Sequence, residues 1–142
     1  MGNLSCFLSQ NAVKIENSKI VVSKRFLEKG KPVEWEIRAI TTEEEEALRK
    51  SCTKKVPVPG KRGQYTQETD FDLYLGKVAV ACTGFPNLND KELQDSYGVL
   101  SADALLKKML TPGEYTEFQA KVQELNGFDT DFNDTVEEAK NS

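Results

Sequence analysis

An α+β fold is predicted for this chain, with an N-terminal β-hairpin packed on a mainly helical domain of about five to six helices. Three observations predict it. Strict period-two alternation is confined to the first forty residues, where Val33, Trp35, Ile37 and Ala39 alternate with Glu34, Glu36 and Arg38. From Thr41 onward, capping residues are followed by apolar positions at helical spacing. Between these segments, Gly and Pro fall where helices should stop.

The elements follow in order. Leu4 to Gln10 makes a short helix or an arm with Leu4, Phe7 and Leu8 as its apolar face. Lys19 to Phe26 is rich in β-branched residues and reads as a strand. The segment LEKGKP turns the chain into Val33 to Ile40, which closes a hairpin over about 19–40 with Trp35 on its inward face. Two strands alone are marginal, so the hairpin must pack on helices or pair with another strand. A helix follows over about 42–53. Thr41 or Thr42 caps it, Glu44 or Glu45 completes a capping box, and Glu43 to Glu46 complement the positive end of the helix dipole. The chain then runs into a Pro/Gly stretch at 56–66 that reads as a loop, neither helix nor strand.

Further helices are expected over about 69–83, 89–97, 101–110 and 111–126. Phe71, Leu75, Val78 and Cys82 form the stripe of the first, with Thr69 as cap, and Gly84-Phe85-Pro86 stops it. Asn89 caps the second, with Gly98 just beyond its end. Ser101 caps the third, and Thr111 the fourth, with Pro112 at its first position and Gly127 as its stop. Tyr115, Phe118, Val122 and Leu125 make a seam that can face the core or a partner helix. Residues 1–128 are expected to be one domain and 129–142 an acidic amphipathic tail, in which Phe128, Phe132 and Val136 recur every fourth position.

Composition narrows the function. The chain contains no histidine, so the commonest general base and the usual partner of a Cys or Ser nucleophile are missing. Cys6, Cys52 and Cys82 lie far apart without a CxxC pair, which signals neither zinc nor a disulfide framework. A small enzyme built on Cys52 or Cys82 would lack its base. No cofactor or metal is expected. Cys6 also stands where an N-terminal myristoylation motif requires Ser or Thr. No apolar run approaches membrane-spanning length, and the N-terminus lacks the regions of a secretory signal, so a cytoplasmic protein without a membrane partner is expected. The net charge of -4 is a tail property. Residues 1–128 carry eighteen basic and eighteen acidic side chains, while 129–142 hold five acids against Lys140.

The candidate chemistry is recognition. Arg49, Lys50, Lys54, Lys55, Lys61 and Arg62 follow one another with no acid between them. GKRG at 60–63 is not a phosphate loop, because Arg62 stands where Ser or Thr is required and prolines precede it. As a basic loop carrying Tyr65, the segment suits an acidic partner, or single-stranded nucleic acid by charge and stacking. Glu43 to Glu46 cannot converge on one ion, since adjacent helical side chains diverge by about 100°. The tail acids resemble a calcium loop in composition, but Asp134 fills the place that demands glycine. The expected partner-binding residues are therefore Lys54, Lys55, Lys61, Arg62 and Tyr65 on the loop, and Phe128, Phe132 and Val136 on the tail.

In the segments EWEIRAITTEEEEALRKSCT, PGKRGQYT, FPNLNDKELQDSYGV and MLTPGEY, taken in this order, the chain resembles the XkdN-like tail assembly chaperones of tailed phages and defective prophages. The resemblance runs over nearly the whole length and lies in the order of segments rather than in a chemical signature. It implies a non-catalytic protein of the bacterial host cytoplasm, absent from the finished virion. The implied partners are the long tape measure protein and tail tube subunits; a second copy of the chain is a further candidate partner that the sequence leaves open. Ala39 stands where the family more often has proline, which bears on how sharply strand gives way to helix. The alternative reading is a small nucleic-acid-binding phage accessory protein acting through residues 54–65, although a body without net positive charge does not favour nucleic acid.

Overall fold

The structure, a computed structural model, describes residues 4–128. A 3₁₀ turn at Leu4–Phe7 opens it, with Leu4 and Phe7 exposed. The architecture is α+β. Five α-helices and three small antiparallel sheets make up the regular structure of these residues.

The central sheet has three strands in the order β1 (Ser18–Ile20), β4 (Trp35–Ile37) and β7 (Thr83–Phe85). Ser18 faces Ile37 and Ile20 faces Trp35, so the expected N-terminal hairpin forms with short strands. Its turn end is the small ladder of β2 (Leu27–Glu28) and β3 (Lys31–Pro32). Between the two ladders, residues 21–26 oppose only 33–34. The reason is local. The Ser23 hydroxyl accepts a hydrogen bond from the Arg25 amide at 3.2 Å, giving the backbone an alternative to strand pairing. The resulting bulge turns Ser23 inward, where it is buried, and aims Arg25 at the helices.

The third strand, β7, lies in the segment expected only to stop a helix. Thr83-Gly84-Phe85 is too short to read as a strand alone, and it becomes one because β4 offers a free edge at Glu36 and Ile37. Gly84 fits the close approach, since a Cβ there would stand 3.4 Å from the Glu36 carbonyl oxygen.

The helices are α1 (Thr42–Ser51), α2 (Phe71–Ala81), α3 (Lys91–Ser96), α4 (Ala102–Met109) and α5 (Pro112–Leu125). Thr41 caps α1 in a capping box with Glu44, and Thr111 caps α5 in a second box with Glu114. Ser101 caps α4. Two caps sit one residue beyond the expected ones: Asp70 rather than Thr69 starts α2, and Asp90 rather than Asn89 starts α3. In both cases the Asp carboxylate accepts from the third amide of its helix, at 3.1 and 2.9 Å.

One core runs between the sheet and the helices. Trp35 and Ile37 of β4 meet Val78, Ala79 and Cys82 around α2, Leu105 and Leu106 of α4, and Phe118 and Val122 of α5. Trp35 and Phe118 contact edge to face with ring centroids 5.5 Å apart. The α5 seam therefore faces the core through Phe118 and Val122. The stripe expected on α2 holds only in its second half, because Val78 and Cys82 are buried while Phe71 is exposed. Helix α1 contributes no buried residue and rests on the core through the half-buried Leu48.

Candidate partner-binding surface

The stretch expected as an irregular basic loop is a β-ribbon. Strands β5 (Thr53–Pro57) and β6 (Tyr65–Thr69) pair antiparallel over five residues, Thr53 opposite Thr69 and Pro57 opposite Tyr65. Its prolines and glycines read as strand breakers, but a two-stranded ribbon tolerates Pro57 at a strand end, where its missing N–H breaks no pairing. Val58 N–H closes the ladder on the Gln64 carbonyl at 3.0 Å, and Gly60 and Gly63 take φ of +76° and +81° within the turn. At the base, the Thr53 and Thr69 hydroxyls stand 2.6 Å apart, and Thr53 donates onward to the Arg49 carbonyl at 2.8 Å. The ribbon is thus tied to the last turn of α1.

Strand geometry divides the expected basic set. Adjacent strand residues point to opposite faces, so Lys54 and Lys55 do not form one patch. Lys54 shares its face with Val56, Thr66 and Glu68, and Glu68 lies directly opposite it in the register, offsetting its charge. Lys55 shares the other face with Gln67 and Tyr65. Lys61 and Arg62 occupy the turn. Together with Pro57, Val58, Gln64 and Tyr65 they line a shallow concavity of about 440 Å³. Tyr65 is 65% exposed. Lys61, Arg62 and Tyr65 thus line one concave surface at the ribbon tip, and Lys55 stands on the Tyr65 face of the ladder, which Lys54 does not share.

Phe128 lies elsewhere. The Gly127 amide bonds the Glu124 carbonyl at 3.1 Å and the Phe128 amide bonds the Gln123 carbonyl at 3.0 Å, which together make a Schellman cap for α5. Phe128 belongs to that cap, half exposed, over a notch of about 180 Å³ lined by Ile40, Thr41, Thr42, Glu45 and Asn126. Asn126 builds the notch. Its carbonyl oxygen accepts from the Ile40 amide at 2.9 Å, and its amide donates to the Val122 carbonyl at 2.8 Å and to the Cys82 sulfur at 3.4 Å. Burial pushes the Cys82 thiol up, against the lowering effect of that Asn126 contact. Phe132 and Val136 lie outside the described residues, as does the expected tail helix.

The two surfaces sit at opposite ends of α1. Its ten residues set them about 15 Å apart along the axis. The acids of α1 cluster at the Phe128 end, where the Thr41 amide and then Arg38 hold the Glu44 carboxyl below its usual range. Arg49 and Lys50 lead into the ribbon at the other end. Phe71, expected on the apolar stripe of α2, is instead an exposed aromatic two residues beyond β6. Among the described residues no group of three His, Cys, Asp or Glu side chains is placed to hold a metal ion, and no helix is long and apolar enough to cross a membrane.

Residues 4–140 match the family described as Phage XkdN-like tail assembly chaperone protein. The chain belongs to the XkdN-like phage tail assembly chaperone family. Two relatives come from Bacillus subtilis (strain 168). The uncharacterized protein YqbN is 36% identical over 141 residues, covering 98% of this chain and 93% of the relative. The phage-like element PBSX protein XkdN is 33% identical over 141 residues, covering 98% and 94%. A crystal structure of YqbN superposes with a TM-score of 0.76 at 29% identity, covering 91% of this chain and 99% of that one. The XkdN-like family is thus shared along nearly the whole length, the ribbon included.

Proposed function

We propose that this XkdN-like chain is a non-catalytic binding protein that holds the tape measure protein, and tail tube subunits with it, during tail assembly. It acts in the cytoplasm of the bacterial host and leaves before the virion is complete. The observation that carries this reading is the β5–β6 ribbon. It contributes nothing buried to the core, yet it exposes Lys55, Lys61, Arg62 and Tyr65, the last three around one concavity. Exposed cations around an aromatic ring suit reversible contact with a partner bearing acidic and apolar residues. Phe128 supplies a second, apolar contact at the other end of α1, and Phe132 and Val136 are further contact candidates from the sequence. Lys54 is assigned a lesser part, because Glu68 opposes it.

Nucleic acid is the weaker reading, since the lysines split between two faces and one is offset by an acid. Co-expression with the tape measure protein of the same tail gene cluster tests the proposal. The long partner should stay soluble and co-purify with this chain. Failure to co-purify, with both proteins expressed, would overturn it.

A further inference from the structure

The charge map of the molecule is uneven in a way its net charge conceals. Six of the eighteen basic residues of 1–128 fall between Ala47 and Gln67 with no acid among them, so the other twelve face eighteen acids. The rest of the body is therefore net negative, and the ribbon end of α1 holds the concentrated positive charge. Arg49 at its base is already engaged by Glu45 at 3.6 Å. Lys55, Lys61 and Arg62 lie on exposed residues of the ribbon.

The chain continues beyond Phe128 for fourteen residues that carry five acids against one lysine. They depart from the notch beside Thr41 and Thr42, where Glu43, Glu44, Glu45 and Glu46 outnumber Arg38, which pairs with Glu44 at 3.4 Å. Like charge disfavours an acidic segment there. The opposite charge begins about 15 Å away along α1, and fourteen extended residues reach about 46 Å. The α1 helix is in effect a short electrostatic gradient, repelling such a segment at its point of departure and attracting it at the ribbon.

We propose that the acidic C-terminal segment 129–142 docks on the cationic face of its own β5–β6 ribbon, around Lys55, Lys61 and Arg62. The consequence, that the segment must be displaced before a partner engages that face, rests on the binding role proposed above; the docking itself does not. Exposed charges at contact distance contribute modestly and are screened by salt, so the docking is reversible and gives way to a partner that adds apolar contact.

Zero-length carbodiimide coupling on the full chain tests the docking without any partner. The reagent joins a lysine amine to a carboxylate in contact with it, and mass spectrometry of the monomer band maps the links. Lys121 and Glu124, 3.9 Å apart, serve as an internal standard. Intrachain links from Lys55 or Lys61 to Asp129, Asp131, Asp134, Glu137 or Glu138 are expected at low salt. They should be lost at about 1 M salt, where the Debye length is about 3 Å. Three results overturn the proposal: tail carboxylates linked to lysines away from the ribbon, tail links found only between copies in the dimer band, or no tail link while the standard forms. None of these bears on whether the chain binds the tape measure protein, so the two readings fail separately.

Discussion

Arg25 and Glu114, eighty-nine residues apart, meet at 2.8 Å between Nη2 and Oε1. The same Glu114 oxygen accepts the Thr111 amide at 2.9 Å, and Arg25 also donates to the Met109 carbonyl. One carboxylate therefore closes the capping box of α5 and anchors the bulge of the N-terminal hairpin to the α4–α5 junction.

That contact should be visible as a pH effect. Arg25, then Ser23, then the Thr111 amide hold the Glu114 carboxyl down at about 2, against an ordinary 4.5. A depressed folded value means the contribution is fully present above pH 4.5 and is lost as pH falls toward 2. Glu114→Gln should flatten the dependence of the urea midpoint on pH across this window. A midpoint for the Glu114 carboxyl near its ordinary value, read by NMR titration, would contradict the geometry.

Trp35 and Phe118 are 2% and 1% exposed and join the sheet to α5 across the core. Phe118→Ala should cost about 3–5 kcal/mol in urea unfolding. Trp35 is the chain's one tryptophan, so the same variant should shift its fluorescence toward that of a wetter indole. Unchanged emission together with a cost below about 1 kcal/mol would mean the ring is not packed as described.

The Tyr74 hydroxyl donates to Glu45 and so joins α2 to α1. Burial, and next the Glu45 contact, push the phenol up to about 12 from 10. A raised folded value here means stability that is complete below pH 10 and declines as pH rises toward 12. The tyrosinate absorbance lost in Tyr74→Phe should be the component that appears last in an alkaline titration.

On the ribbon, the two neighbouring lysines should behave differently. Lys55→Ala is expected to weaken partner capture by roughly fivefold, the scale of about 1 kcal/mol for an exposed charge contact. Lys54→Ala should leave capture nearly unchanged, because Glu68 already offsets that charge. Pull-down titrations with each variant decide the point, and equal losses would argue for a flexible loop instead of a paired ribbon.

Much of the fold was legible because its signals are local. Thr41, Ser101 and Thr111 cap helices as their spacing to the following residues requires, and Trp35 and Ile37 are buried as period-two alternation predicts. The caps at Asp70 and Asp90 were missed by one residue because each follows another good capping residue, Thr69 and Asn89. The candidate site was legible in composition but not in shape. Lys54, Lys55, Lys61 and Arg62 stand out in any reading of the sequence, while their division between faces appears only once β5 and β6 pair.

By itself, then, the sequence determined the family, through the order of segments along the chain, and the α+β class, the caps and the basic run, through residues within a few positions of one another. Tertiary structure alone decided that Thr83–Phe85 is a strand, that 53–69 is a ribbon, that half of the α2 stripe faces solvent, and that Arg25 finds Glu114. The physical reason is common to all four. A strand needs a partner edge, a helix face is buried only where another surface meets it, and an ion pair needs its second charge. For β7, the α2 face and the ion pair the partner comes from a distant part of the chain, while β5 and β6 find each other within sixteen residues.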